Sequence, residues 1–212
     1  MKNLIKHLTE QGYLKTPEII SAFYKINRTD FLNNRELNEE KREQQSEINA
    51  PLPIACGQTI SQPLTVALML EMLQPQVGDK VLDVGSGSGW TACLLAEIVG
   101  PGGKVVAVER IPELKEFGEQ NAKKYKHRNL KFHCGDGAKR FAEQAPYNRI
   151  HVAAAAKNVP SILIKQLANG GKMVIPVGIG TQEMILLSKS KSGSISKERT
   201  PGFAFVPLIE EQ

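Results

Sequence analysis

The chain has 212 residues, of which 23% are charged, and its formal net charge is +5. This length is sufficient for one domain with additions, and a charge this mildly basic does not predict a nucleic-acid partner. The three cysteines, Cys56, Cys93 and Cys134, lack metal-ligand spacing and suit a reducing compartment. The sequence contains neither a membrane-spanning apolar run nor a signal-peptide core, so we expect a cytoplasmic protein without a metal site.

The amino-terminal part of the chain predicts helices. Apolar residues recur at helical spacing in the first ten positions, and Gly12 ends that run. Thr16 then matches a helix N-cap, with Pro17 at the first helical position. Residues 33–49 are polar and have no apolar period. This segment is expected to be mobile or a solvated helix, acting either as a connector or as a substrate lid.

A glutamine- and serine-containing segment precedes the next helix. Residues 57–61 read Gly-Gln-Thr-Ile-Ser, and an almost continuous apolar run follows Pro63. Ser61 is therefore predicted to be the N-cap of this helix, because serine is a preferred capping residue. Capping does not exclude a functional role, since a helix N-terminus also attracts carboxylates.

The most informative stretch of the chain is a glycine-dense turn between a strand and a helix. An apolar strand over residues 80–84 leads into the turn, and a helix over residues 90–99 follows it. Strand, glycine turn and helix form the first unit of a nucleotide-binding parallel sheet. Asp83 lies just before the turn, where it suits a cationic ligand. Three alternating glycines form the turn: Gly85, Gly87 and Gly89.

Two further acidic residues follow later strands. Glu109 ends the next strand about 20 residues past the glycines, where an acid commonly accepts hydrogen bonds from ribose hydroxyls. Asp136 lies between Gly135 and Gly137 after a strand over residues 130–133. By itself this Gly-Asp-Gly triplet is typical of a tight turn. As the third acid in this order, Asp136 is predicted to bind an exocyclic amine such as that of adenine.

Strands and helices alternate through this part of the chain, which predicts a doubly wound, mostly parallel α/β sheet. The tail differs, because it predicts an antiparallel hairpin with an extension over residues 203–206. The basic cluster at 123–128 and 131 is interpreted as a solvated helix end rather than an RNA patch. The predicted strands are 80–84, 104–109, 130–133, 149–153 and 172–176, the helices are 90–99, 114–124 and 162–167, and the hairpin strands are 183–188 and 195–199.

Five short motifs follow one another along the chain. They are Pro-Leu-Pro-Ile-x-x-Gly-Gln-Thr-Ile-Ser at 51–61, Val-Leu-Asp-Val-Gly-Ser-Gly-Ser-Gly at 81–89, Glu-Arg-Ile-Pro-Glu-Leu at 109–114, Gly-Asp-Gly at 135–137 and Phe-Val-Pro-Leu at 205–208. In this order they resemble the protein-L-isoaspartate O-methyltransferase family of class I S-adenosylmethionine-dependent enzymes. The resemblance covers nearly the whole chain.

The resemblance implies a Rossmann-like class I methyltransferase fold in one domain. Residues 1–75 would form a helical, substrate-side region, 76–178 the cofactor-binding core and 179–212 the hairpin and tail. It further implies methyl esterification of the α-carboxylate of L-isoaspartyl residues in damaged proteins or peptides, by a monomer that uses S-adenosylmethionine. Ser61 would be the active-site residue. The residues implied to surround the cofactor are Gln58, Thr59, Ile60, Ser61, Asp83, Gly85, Ser86, Gly87, Ser88, Gly89, Glu109, Arg110, Asp136 and Gly137.

The chain departs from the family pattern on the substrate side. Ala55 and Cys56 replace a Gly-Tyr pair, Leu64 replaces a histidine and Asn148 replaces an aspartate, while residues 153–156 lack a hydroxyl group. Two alternatives follow. The first is a methyltransferase of the same fold that acts on RNA or a small molecule, because fold does not determine the acceptor. The second is a non-catalytic binding module that retains the cofactor.

Overall fold

The computed structural model describes residues 1–33, 36–137 and 141–209. Its helices are α1 (Lys2–Glu10), α2 (Pro17–Lys25), α3 (Glu39–Ser46), α4 (Pro63–Leu73), α5 (Trp90–Val99), α6 (Pro112–Ala122) and α7 (Ser161–Gln166). Its strands are β1 (Leu52–Pro53), β2 (Thr59–Ile60), β3 (Lys80–Val84), β4 (Lys104–Glu109), β5 (Leu130–Cys134), β6 (Tyr147–Val152), β7 (Leu167–Val177), β8 (Gln182–Lys189) and β9 (Ile195–Phe203). Short 3-10 turns lie at Arg28–Phe31, Ala55–Gly57, Lys123–Tyr125 and Ala142–Gln144.

The central sheet has the strand order β5-β4-β3-β6-β7-β8-β9. Strands β3 to β7 are mutually parallel, whereas β8 pairs antiparallel with β7, and β9 pairs antiparallel with β8. After β3 the chain builds outward through β4 and β5 and then returns to place β6 on the other side of β3. Such a reversal opens a crevice at the carboxyl ends of the strands. The predicted mostly parallel sheet with a carboxyl-terminal antiparallel hairpin is confirmed.

Side chains on the two faces of the sheet belong to two apolar clusters. Val81 and Val105 pack with the buried faces of helices α1, α2, α4 and α5. Leu82 and Val106 face the opposite way, because neighbours alternate along a strand, and they pack with Leu163 of α7. Helix α5 is buried along most of its length, which explains its apolar sequence. None of the described helices is both long and apolar enough to span a membrane.

The amino-terminal helices are confirmed, with Thr16 at the N-cap position and Pro17 at the start of α2. The Thr16 hydroxyl does not cap α2 but donates to Glu71 Oε2 at 2.7 Å, which ties the entrance of α2 to α4. The polar segment 33–49 contains a solvated helix, α3, whose N-cap Asn38 accepts a bond from the Lys41 amide. Two of its residues, 34 and 35, lie outside the described part of the chain.

The prediction that Ser61 caps α4 is wrong. Gln62 occupies the N-cap position with no side-chain cap bond, and Pro63 is the first helical residue. The amide of Leu64 instead donates to Oδ1 of Asn49 at 3.1 Å. A side chain fifteen residues upstream therefore satisfies one free N–H group of the helix, and the Ser61 hydroxyl is not used as a cap.

Several predicted boundaries differ from the observed ones. Strand β7 begins directly where α7 ends, at Leu167, five residues before the predicted start at 172. Its pairing with β6 passes from Tyr147–Leu167 to Arg149–Lys172, so residues 168–171 form an irregularity before the predicted strand. Strand β9 continues beyond its predicted end to Phe203. The basic cluster begins in the 3-10 turn Lys123–Tyr125, which follows α6, and Lys124 Nζ there contacts Asp30 at 2.8 Å.

Candidate functional site

A cleft of about 360 Å³ lies at the carboxyl ends of strands β3 to β6. This volume falls in the usual range for ligand clefts, about 300–1,000 Å³. Its position agrees with the crevice that the strand order predicts. The cleft is lined by residues 58–61, 84–88, 91, 108–111, 114, 135–137, 153–154 and 206–209.

The glycine turn forms the floor of the cleft. Gly85, Gly87 and Gly89 have backbone φ values of +77°, +51° and +86°, a region that residues other than glycine rarely adopt. A Cβ atom on Gly85 or Gly87 would meet no heavy atom closer than 3.8 Å. A Cβ atom on Gly89 would lie 2.7 Å from the carbonyl oxygen of Gly118 in α6. Gly85 and Gly87 therefore keep the cleft open, whereas Gly89 allows a helix to pack against the turn.

Glu109 holds the glycine turn in shape from the end of β4. Its Oε2 accepts a hydrogen bond from the Gly87 amide at 3.0 Å, and its Oε1 accepts one from the Ile111 amide at 3.1 Å. The residue is 7% exposed. A carboxylate has about four acceptor positions, so two bonds from the protein leave capacity for hydroxyl groups of a ligand. Glu109 thus makes structural contacts with the turn and keeps acceptor positions that a ligand could use.

Two polar groups at the cleft point to a polar ligand. The Ser86 hydroxyl oxygen is buried and has no hydrogen-bond partner among the described residues. Leaving such a group unsatisfied costs about 1–3 kcal/mol, so a bound ligand that supplies a partner would gain that contact. Asp136 is 2% exposed in the turn after β5. A Cβ atom on the next residue, Gly137, would lie 2.7 Å from Val84 Cγ1, so only glycine fits beside β3.

Asp83 lies outside the lining of the cleft. Its Oδ1 is 2.7 Å from Nδ1 of His151, and the two residues face each other across strands β3 and β6. His151 was not identified from the sequence, because only the strand order reveals that β6 lies next to β3. Gly89 also lies outside the lining. All other residues implied for the cofactor line the cleft: Gln58, Thr59, Ile60, Ser61, Gly85, Ser86, Gly87, Ser88, Glu109, Arg110, Asp136 and Gly137.

The segment that carries Ser61 closes one side of the cleft. Strands β1 and β2 pair antiparallel, and the Ile54 amide donates to the Gln58 carbonyl at 2.8 Å. The turn between them passes through Cys56 and Gly57, both with positive φ. Ser61 directly follows β2, and its hydroxyl makes no hydrogen bond with any described residue. It is therefore available to a ligand in the cleft.

The carboxyl-terminal tail supplies a wall that the sequence did not place. The Ala155 amide donates to the Val206 carbonyl and the Leu208 amide donates to the Ala155 carbonyl, both at 2.8 Å. Gln182 anchors the same segment, because its side chain both donates to the carbonyl and accepts from the amide of Phe205. In the sequence, the Phe-Val-Pro-Leu motif at 205–208 was identified only as one of the five motifs of the family resemblance. The residues around it do not indicate that it pairs with the loop after β6.

Comparison with known proteins identifies relatives along the whole chain. The sequence profile described as protein-L-isoaspartate(D-aspartate) O-methyltransferase matches residues 1–212. Two proteins named protein-L-isoaspartate O-methyltransferase, from Methanopyrus kandleri and Ignicoccus hospitalis, are each 45% identical over 100% of this chain, covering 92% and 98% of their own lengths.

A solved structure also matches over the full length. It is a Plasmodium falciparum protein described as a protein-L-isoaspartate O-methyltransferase, in complex with S-adenosyl-L-homocysteine. The TM-score is 0.86 at 26% identity, with 99% of this chain and 98% of that chain covered. The chain therefore belongs to the protein-L-isoaspartate(D-aspartate) O-methyltransferase family.

Proposed function

We propose that this enzyme transfers a methyl group from S-adenosylmethionine to the α-carboxylate of isoaspartyl residues in damaged proteins, which initiates their repair. The chain acts as one methyltransferase domain, in which residues 1–75 supply the acceptor side and residues 76–178 the cofactor side. The observation that carries the proposal is that segment 58–61, the glycine turn and Glu109 at the end of β4 all line one cleft.

The lining of the cleft suits this cofactor in charge and polarity. Glu109 would accept hydrogen bonds from the ribose hydroxyls with the acceptor positions left after binding Gly87 and Ile111. Asp136 would accept a bond from the adenine amine, and Ser86 would gain the partner that its hydroxyl lacks. Apolar side chains, Val84, Val108, Ile111 and Leu114, supply surface for a base.

The chemistry needs alignment more than acid–base catalysis. The cofactor supplies an electrophilic methyl group on a positively charged sulfur. The acceptor carboxylate is already ionised at neutral pH, so no residue has to remove a proton. Correct alignment of reacting groups is worth up to about 7–11 kcal/mol. We assign this task to Ser61, whose hydroxyl is free to donate a hydrogen bond to the carboxylate.

The tail and the segment 58–61 both line the cleft that would hold the reacting groups. Val206, Pro207 and Leu208 present apolar surface to the cleft, which lowers local access of water. The acceptor is an isoaspartyl protein or peptide, and the enzyme works as a monomer. We place it in the cytoplasm, because its three cysteines are free thiols and thiols persist in reducing compartments.

Methylation of paired peptides tests the proposed reaction. Two peptides that differ only in an isoaspartyl or an aspartyl linkage are incubated with enzyme and radiolabelled S-adenosylmethionine. Label is expected on the isoaspartyl peptide alone, and mild base should release it as methanol, because carboxyl methyl esters hydrolyse there and N-methyl groups do not. A Gly87→Val variant serves as the control for contaminating activity. Equal labelling of both peptides, or of neither, would refute the proposal.

A further inference from the structure

Arg28 is a fully buried cation outside the lining of the cleft. It begins the 3-10 turn Arg28–Phe31 and is 0% exposed. Among the described residues it pairs with no carboxylate, and burial lowers the pKa of its guanidinium to about 10. The group is therefore still charged at neutral pH. A buried charge without a counter-ion is costly unless its donors are used, so its contacts indicate what it does.

The guanidinium binds backbone carbonyls from two separate segments. Its Nη1 donates to the Ile48 carbonyl at 2.8 Å and, more weakly, to the Ser46 carbonyl at 3.4 Å. Its Nη2 donates to the Ala50 carbonyl at 2.8 Å and to the Ser61 carbonyl at 3.1 Å. Arg28 thus links Ser61, the residue proposed to align the substrate, with the end of α3 and the residues that follow it.

The same contacts fix the helix that follows Ser61. Carbonyls on both sides of Asn49 are held by Arg28. Asn49 in turn accepts from the Leu64 amide at 3.1 Å, and its carbonyl accepts from the Gln62 side chain at 3.0 Å. Ser61 is therefore held from its own carbonyl and from the start of α4.

Arg28 also reaches the cofactor side through Trp90. Its Cζ atom lies 5.6 Å from the centroid of the Trp90 ring, a cation–π distance. Trp90 is the first residue of α5 and directly follows Gly89 of the glycine turn. The Trp90 indole donates to the Ile26 carbonyl at 3.3 Å, which holds the ring in place under the guanidinium.

We propose that Arg28 is a positioning residue for methyl transfer, since its guanidinium joins the carbonyl of Ser61 to the ring of Trp90 and so sets the spacing between segment 58–61 and the glycine turn. This role rests on the proposed function, because it matters only if Ser61 aligns the acceptor. Arg28 does not line the cleft, so its loss affects the alignment of the acceptor more than the affinity for the cofactor.

Arg28→Lys is the test variant, and Arg149→Lys is the matched control. Lysine keeps the positive charge, but its compact ammonium group cannot span carbonyls that the planar guanidinium fork reaches on two sides. Arg149 is half-buried where Arg28 is fully buried, but it likewise donates to a backbone carbonyl, that of Gln74 at 2.9 Å, and it forms an ion pair with Asp79 at 3.5 Å. It lies outside the lining of the cleft, so it reports the cost of an arginine-to-lysine change alone.

The readouts are kcat on the isoaspartyl peptide, the Kd of S-adenosylhomocysteine and tryptophan fluorescence. Because Trp90 is the single tryptophan of the chain, the emission spectrum reports directly on the Arg28 contact. In Arg28→Lys we expect kcat to fall about 10- to 100-fold, the scale for a misplacement of about 1 Å. We also expect shifted emission and a Kd within about threefold of the parent, whereas Arg149→Lys keeps kcat and emission close to the parent.

Several outcomes would overturn this role. A folded Arg28→Lys variant with parental kcat would do so, as would an equal loss of kcat in Arg149→Lys or a cofactor affinity that falls in step with kcat. If Arg28→Lys does not fold, Trp90→Phe tests the same link by keeping a ring and weakening the cation–π contact, and parental kcat there overturns it equally. A parent enzyme that methylates neither peptide would overturn the proposed function itself. An active parent whose Arg28→Lys variant keeps parental kcat would overturn only the role of Arg28.

Discussion

Nδ1 of His151 lies 2.7 Å from Oδ1 of Asp83, on neighbouring strands just below the glycine turn. The side chains are 1% and 0% exposed. The remaining polar atoms, Asp83 Oδ2 and His151 Nε2, are buried and have no hydrogen-bond partner among the described residues. The hydrogen bond to His151 is therefore the contact that satisfies the Asp83 carboxylate among the described residues.

The first prediction concerns this buried pair. Asp83→Ala should reduce the free energy of unfolding by about 1–3 kcal/mol, because it leaves the imidazole buried without a hydrogen-bond partner. His151→Leu should also destabilise, since the carboxylate is then left unpaired. The double variant should cost less than the sum of the two, with a coupling energy of about 0.5–3 kcal/mol measured by denaturant unfolding. Additive costs would mean that the two groups do not interact.

A second prediction concerns Glu109. Glu109→Ala removes both the acceptor of the Gly87 amide and the proposed ribose contact. Binding of S-adenosylmethionine should weaken by about 1.5–3 kcal/mol, the range for a hydrogen bond to a charged group. Calorimetric titration measures this loss, with the exposed Glu113→Ala in α6 as the control. Unchanged affinity in Glu109→Ala would remove this carboxylate from the cofactor site.

A third prediction sets local propensity against packing at Gly118. Alanine is favoured over glycine inside a helix by about 1 kcal/mol, so propensity alone predicts that Gly118→Ala stabilises the protein. Its Cβ, however, would lie 2.5 Å from the carbonyl oxygen of Gly87, so α6 must move away from the glycine turn. We expect a lower melting temperature and weaker cofactor binding.

Gly102→Ala is the control for this substitution. A Cβ at Gly102 meets no atom within 4 Å, and its φ is not in the left-handed region. That variant should be neutral or stabilising by up to about 1 kcal/mol. If Gly118→Ala raises the melting temperature and binds the cofactor normally, the close approach of α6 to the turn is not required.

The parts of the fold that were predicted from the sequence depend on local patterns. The strand before the glycine turn, helix α5 and the acidic residue at the end of β4 each follow from periodicity and from residues a few positions apart. The parallel alternation then places Glu109 and Asp136 at one edge of the sheet. These inferences need no knowledge of which distant segments meet.

What the sequence could not predict depends on contacts between distant segments. Asn49 replaces Ser61 as the cap of α4 because a separate segment brings its side chain to the Leu64 amide. His151 becomes the partner of Asp83 only through the strand order. From the sequence, Gly118 is an ordinary glycine inside a helix, and only the packing of α6 against the glycine turn shows that a larger residue would clash there. In each case a residue with an ordinary local role is used by a neighbour that is remote in sequence.

The last prediction separates capping from catalysis at the entrance of α4. Ser61→Ala should change the free energy of unfolding by no more than about 0.5 kcal/mol, because the hydroxyl makes no hydrogen bond with the described residues. Asn49→Ala should cost about 1 kcal/mol, since it removes the cap of the Leu64 amide. Denaturant unfolding of both variants measures this difference, and it would be reversed if Ser61 were the cap.

Activity should follow a different order from stability. Ser61→Ala should lower kcat on the isoaspartyl peptide, because the hydroxyl proposed to hold the acceptor carboxylate is lost. Ser61→Asp should lower it further, since a second negative charge then faces that carboxylate, while the melting temperature stays near that of the parent. Comparing thermal melting with peptide methylation in these two variants separates the roles. A folded Ser61→Asp enzyme with parental turnover would show that the hydroxyl does not align the acceptor.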